Sequence, residues 1–129
     1  MGDDPSGQEW GATVDDTKVL LELNDKFIEA FRQGSWSMLE PILSPSFAYT
    51  DGNTGEVTEL DAYAKSLDGS PVPALTFDQV VVHVDGDAAV VSARTSVQPG
   101  RYSRYVDSYE RRDGHWICYH ACVWRLQQG

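Results

Sequence analysis

The side chains best suited to chemistry lie on stretches that alternate with period two, where every second residue shares a face. Phe47, Tyr49 and Asp51 alternate into the turn-forming run Asp51-Gly52-Asn53-Thr54-Gly55, leaving a carboxylate at the end of a short strand. A second carboxylate, Asp107, sits inside the β-rich run Tyr102–Arg112 between Tyr105 and Tyr109. A carboxyl buried in an apolar pocket is held protonated to higher pH, and two carboxyls near one site are pushed apart into a base and an acid. A two-residue turn at Pro99-Gly100 sets Gln98 opposite Arg101, and therefore Arg94 opposite Tyr105 and Ser92 opposite Asp107. On that register Ser92, Arg94, Tyr105, Asp107 and Tyr109 share a face, and an arginine within about 4–6 Å would keep Asp107 ionised. For Asp51 the competing reading is structural, because Asp-Gly opens turns for backbone reasons alone. For the tyrosines it is packing with one satisfied hydroxyl.

Cys118, His120 and Cys122 also alternate, which raises the question of a zinc site. Successive same-face residues stand about 6.6 Å apart along a strand, too far for three to converge on one ion, so no metal and no cofactor are expected. Cys118 and Cys122 would lie about 13 Å apart, beyond a disulfide. With Trp116 and Trp124 counted on the same face, the pattern reads as an outer surface covered by a second subunit. The Asp113-Gly114 turn leaves open whether Tyr119 or His120 faces inward, since a one-residue slip reverses every side chain.

The elements that position these groups follow from periodicity. From Thr13, Leu20, Leu23, Phe27, Ala30 and Phe31 recur at helical spacing, with Asp15 and Asp16 at the start, where negative charge suits the helix dipole. Gly34 supplies a left-handed cap, Ser35 opens a shorter helix carrying Trp36, Leu39, Ile42 and Leu43, and Pro45 ends it. Thr58 and Asp61 form a capping-box-like start for a third helix with Leu60, Tyr63, Ala64 and Leu67 inward. Four strands follow, Phe77–Val84, Ala88–Gln98, Tyr102–Arg112 and His115–Leu126, joined by turns at Asp85-Gly86, Pro99-Gly100 and Asp113-Gly114. Helices first and a meander second make an α+β chain. Residues 1–12, rich in Gly, Asp, Ser and Pro, are expected to be a disordered tail, and 13–129 a single domain.

Composition narrows the function classes. Among 129 residues, 41% are apolar, enough for one buried core. Twenty acidic against ten basic residues give a net charge of −10, an average field that repels nucleic acid. Apolar runs such as Val80–Val82 fall far short of the roughly 20 residues that span a bilayer, so no membrane association is expected. The start Met1-Gly2-Asp3-Asp4-Pro5 lacks the basic and apolar parts of a secretory signal, which points to a cytoplasmic location.

The element order, with Gly86-Asp87-Ala88-Ala89-Val90-Val91 on one strand and Arg111-Arg112-Asp113-Gly114-His115-Trp116 between the last two, resembles the nuclear transport factor 2-like superfamily. Those two motifs look like the association domain of calcium/calmodulin-dependent protein kinase and its bacterial SnoaL-like relatives, over roughly Thr13 to Leu126. The resemblance implies a cone-shaped fold, three N-terminal helices on a curved, mainly antiparallel sheet, and a homodimer paired through the outer sheet face. It also points Ser92, Arg94, Tyr105, Asp107, Tyr109 and Tyr119 into the pocket. Asp51 then matches the ketosteroid isomerase base and Asp107 its neutral oxyanion donor, while Phe27 stands where that site carries a tyrosine. The expectation is general acid–base chemistry (isomerisation, cyclisation or dehydration) on a small apolar molecule, with Asp51 and Asp107 catalytic. Tyr49, Ser92, Arg94, Tyr105, Tyr109 and Tyr119 would bind the ligand, with Phe27, Phe47 and Leu43 as apolar walls. The alternative is a non-catalytic dimeric module in which Arg94 holds a small carboxylate or pairs with Asp107.

Overall fold

The structure is a computed structural model and describes residues 14–127; the expected tail at 1–12 lies outside the described residues. Helix α1 (Val14–Gln33) buries Leu20, Asn24, Phe27, Ile28 and Ala30 on one stripe. Its first turn is tied to the sheet: Asp16 Oδ1 accepts from Arg111 Nη1 at 2.7 Å and from Trp116 Nε1 at 3.2 Å. Gly34, at φ +62°, ends it in the expected left-handed conformation, and Ser35 N donates to Ala30 O. Glycine is required here twice over, since a Cβ would stand 2.6 Å from Pro71 N.

Short α2 (Trp36–Leu39) runs into a 3-10 turn, Glu40–Ile42, and β1 (Leu43–Asp51) begins earlier than its alternating residues suggest. Pro45 therefore lies within a bulged part of the strand rather than after a helix. A strand not foreseen from sequence, β2 (Val57–Glu59), pairs antiparallel with β1 and takes up Thr58, so α3 (Leu60–Leu67) starts without a side-chain cap. Strands β3 (Thr76–Asp85), β4 (Ala88–Gln98), β5 (Arg101–Arg112) and β6 (His115–Arg125) form the meander. The sheet order is β2-β1-β6-β5-β4-β3, with β1 and β6 parallel and all other pairs antiparallel. The class is α+β, helices packed on one face of a mostly antiparallel sheet, and the core lies between them.

Two bulges overturn the expected register. Gln98 does pair with Arg101, but β4 carries an extra residue between Thr95 and Gln98, so Thr95 meets Ser103, Ala93 meets Tyr105 and Val91 meets Asp107. Ser96 Oγ anchors the bulge, 2.7 Å from Gln98 O and 2.8 Å from Arg101 O. Ser92 and Arg94 consequently turn to the outer face, opposite Val106 and Arg104. On β6, Ser108 pairs with His120 but Tyr109 with Cys118, which leaves Tyr119 as the extra residue. Trp116 and Cys118 therefore point into the core, and His120, Cys122 and Trp124 lie outside. The expected shared face of Cys118, His120 and Cys122 is split by this bulge, and Trp116 does not belong to the outer surface.

Candidate functional site

Between α1, α3 and the inner sheet face lies a pocket of about 410 Å³, within the range of small-molecule sites. Helix α1 contributes Phe27, Ile28 and Phe31, and α3 contributes Tyr63 and Ser66. The sheet supplies Tyr49, Thr58, Thr95, Tyr105, Asp107, Ala121 and Val123, and Leu75 closes one side. Aromatic contacts stiffen the helical wall: Phe27 and Phe31 stack at 5.8 Å between ring centres, and Tyr63 meets Tyr49 at 5.5 Å and Phe47 at 5.0 Å. Phe27 is a wall, as expected; Phe47 and Leu43 pack behind it in the core.

The pocket's polar centre is Asp107. It is 3% exposed, receives no hydrogen bond from the described residues, and burial pushes its pKa up to about 8. A carboxyl in this state is largely the neutral acid at pH 7, able to donate one hydrogen bond. Beside it, the Tyr105 hydroxyl donates to Asn24 Oδ1. Burial first, then the neighbouring Asp107 charge, raises the pKa of Tyr105, Tyr63 and Tyr109, so these phenols stay protonated. Asn24 Nδ2 and the Tyr109 hydroxyl are buried without a partner among the described residues.

The other sequence candidates are dispersed. Asp51 Oδ1 accepts from the amides of Asn53 (2.8 Å) and Thr54 (3.3 Å), and these bonds hold its pKa below the usual carboxylate range. It is a turn carboxylate whose Oδ1 serves its own backbone, and it does not line the pocket. Arg94 makes a two-pronged pair with Asp78 (Nε–Oδ1 2.9 Å, Nη2–Oδ2 2.7 Å) and stacks 3.9 Å over Tyr102, so the expected Arg94–Asp107 contact does not form. Ser92 is on the same outer face. Tyr109 is fully buried beneath the pocket rather than lining it. Neither Tyr119 nor His120 enters the pocket: Tyr119 is 40% exposed at its bulge, and His120 Nε2 bonds Thr50 Oγ1 at 2.8 Å.

The pocket residues not singled out from sequence are Ile28, Phe31, Thr58, Tyr63, Ser66, Leu75, Thr95, Ala121 and Val123, together with Asn24, which bonds Tyr105. Phe31 and Tyr63 were legible as buried helix positions, and Asn24 as a polar residue inside the apolar stripe of α1 between Leu20 and Phe27–Ile28. Thr58 required β2, and Thr95 required the β4 bulge.

The SnoaL-like domain model matches residues 25–119, which include the pocket's α1, α3 and β5 contributors. A search of curated proteins returns no match. Among solved structures, an NTF2-like protein of unknown function from Shewanella baltica is 15% identical with a TM-score of 0.75, covering 90% of this chain and 98% of its own. A cystatin-like fold protein from Burkholderia xenovorans is 14% identical with a TM-score of 0.74, covering 91% and 96%. The association domain of C. elegans CaMKII is 16% identical with a TM-score of 0.71, covering 84% and 95%. At these identities the likeness is one of fold.

Proposed function

The chain belongs to the SnoaL-like domain family, and from that premise we propose that it binds a small, largely apolar molecule whose hydrogen-bond acceptor is met by the neutral carboxyl of Asp107. The observation that carries this reading is a buried carboxyl, the only one among the described residues lining a mainly apolar pocket of about 410 Å³. A protonated acid in such surroundings donates strongly to a carbonyl oxygen, because no water competes for it. The reading is of binding first: a two-carboxyl mechanism needs a base beside Asp107, and Asp51 is committed to its turn. The remaining ionisable lining groups, Tyr49, Tyr63 and Tyr105, have raised pKa values and are poor proton donors. If turnover occurs, Asp107 is the group that polarises or protonates the substrate.

The test is calorimetry at pH 6 with a matched pair, 2-acetylnaphthalene and 2-ethylnaphthalene. The ketone should bind roughly 2- to 10-fold tighter, the range expected for one net hydrogen bond. Asp107→Leu should erase that difference, and raising the pH through about 8 should erase it in the wild type as the carboxyl ionises. Equal binding of both compounds by the wild type would sink the reading.

The outer sheet face favours a second copy of the chain as partner. Val81 (57% exposed) and Val90 (38% exposed) lie there with Trp124, His120 and Cys122, a mixed apolar surface suited to an interface. A lone subunit in sedimentation at micromolar concentration would remove this proposal.

A further inference from the structure

Thr95 lines the apolar pocket and also lines a second cavity of about 340 Å³, whose walls include Ser103, Arg101 and Arg125. The register places the two on one face. Asp107 pairs with Ala121, Tyr105 with Val123 and Ser103 with Arg125, three successive inward positions on each strand. One floor therefore carries a buried acid at one end and a guanidinium at the other.

Cations are scarce in this chain: ten against twenty acids. Yet Arg101 and Arg125 both border this cavity, and neither makes an ion pair with a described residue. The other arginines of this end are engaged on the outer face, Arg94 with Asp78 and Arg104 with Gln79. Asp51 is the carboxylate that feels the charge of Arg125, and it is already held by its turn amides. Both arginine backbones are fixed by side chains: Arg101 O lies 2.8 Å from Ser96 Oγ, and Arg125 N donates to Asn53 Oδ1 at 3.0 Å. Two cations bordering one cavity, each with its backbone held, suit a carboxylate with little ordering of the backbone left to be done on binding.

We infer that the ligand of this site is an amphiphilic carboxylate, its apolar body in the main pocket, its acceptor at Asp107 and its carboxylate between Arg101 and Arg125. The inference rests on the binding reading above and names the ligand class. Four residues of strand separate Ala121 from Arg125, about 13 Å of backbone. Allowing for the length of an arginine side chain, the two polar ends of the ligand should stand roughly 10 Å apart.

A rigid probe of that span is 6-acetyl-2-naphthoate, compared with its methyl ester by calorimetry at pH 6 and low salt. The carboxylate should bind at least about 5-fold tighter, a gain that shrinks in 0.5 M salt as the charges are screened. Because the net charge of −10 repels anions on average, such a preference can only be local. The double variant Arg101→Gln/Arg125→Gln should bring the acid-to-ester ratio to about one or below. An ester that binds as tightly as the acid in the wild type, or a preference that survives the double variant, overturns the inference. Failure of the underlying pocket reading shows separately, as an ester whose affinity is indifferent to Asp107→Leu.

Discussion

Asp51 and Asp107 are the same side chain in opposite circumstances. At the turn after β1, two backbone amides point at the Asp51 carboxylate and lower its pKa; at the pocket floor, no donor among the described residues reaches Asp107, and burial alone raises it to about 8. The turn stabilises the charged form and the pocket the neutral one. Asp51 is held in its charged form and lies outside the pocket lining, whereas a buried acid without a partner offers a donor to whatever fills the cavity. The contrast explains why two aspartates of similar sequence appearance have different prospects in function.

The sharpest way to break this comparison is the neutral substitution Asp107→Asn. Because the folded-state pKa lies above the unfolded value of 3.8, the unfolded chain loses its proton first. The wild type should therefore lose stability relative to the variant as pH rises from about 4 to about 8, and level off above. Near pH 4 the two should be close; by pH 8 the variant should be more stable by several kcal/mol, at about 1.4 kcal/mol per pH unit. Urea titrations at pH 4, 6 and 8 measure this, and a constant difference across that range would mean that Asp107 is ionised in the fold.

A middle-sized effect is expected at the turn itself. Gly52 N donates to Val123 O at 2.7 Å, and a Cβ at Gly52 would stand 2.9 Å from Trp124 Cβ and 3.0 Å from Val123 O. Gly52→Ala should destabilise the protein by about 1–3 kcal/mol, read from denaturant midpoints; a neutral outcome would mean the turn is not clamped to β6.

Asp51→Asn should matter least. The amide oxygen still accepts from Asn53 and Thr54, so only the charge is lost. That charge contributes stability above the unfolded pKa, which disappears as pH falls through the lowered folded value. Melting temperatures should differ slightly at pH 7 and converge as the solution is acidified, with 2-acetylnaphthalene affinity unchanged. A large fall in that affinity would return Asp51 to the site.

Much of the fold was legible because its signals are local. The stripe Leu20, Phe27, Ala30 and Phe31, the left-handed Gly34 and the three hairpin turns are each set by a few neighbouring residues, and all appear in the structure. Strand β2 was not, because three residues, Val57–Glu59, carry too little pattern and gain their hydrogen bonds only from β1.

For the site, the chain's own residues determined that Tyr49, Tyr105 and Asp107 stand on strands beside an apolar helix stripe. Which neighbours join them was decided by tertiary structure. A bulge between Thr95 and Gln98 turned Ser92 and Arg94 outward, and another at Tyr119 carried that ring and His120 out of reach. A strand's side-chain period is two, so one inserted residue inverts the whole face. The spacing of those residues does not reveal the insertion, because a strand pattern of period two reads the same until the pairing with its neighbours is known. The protonation of Asp107 was decided the same way, since it depends on how much water the closed fold removes from one carboxyl.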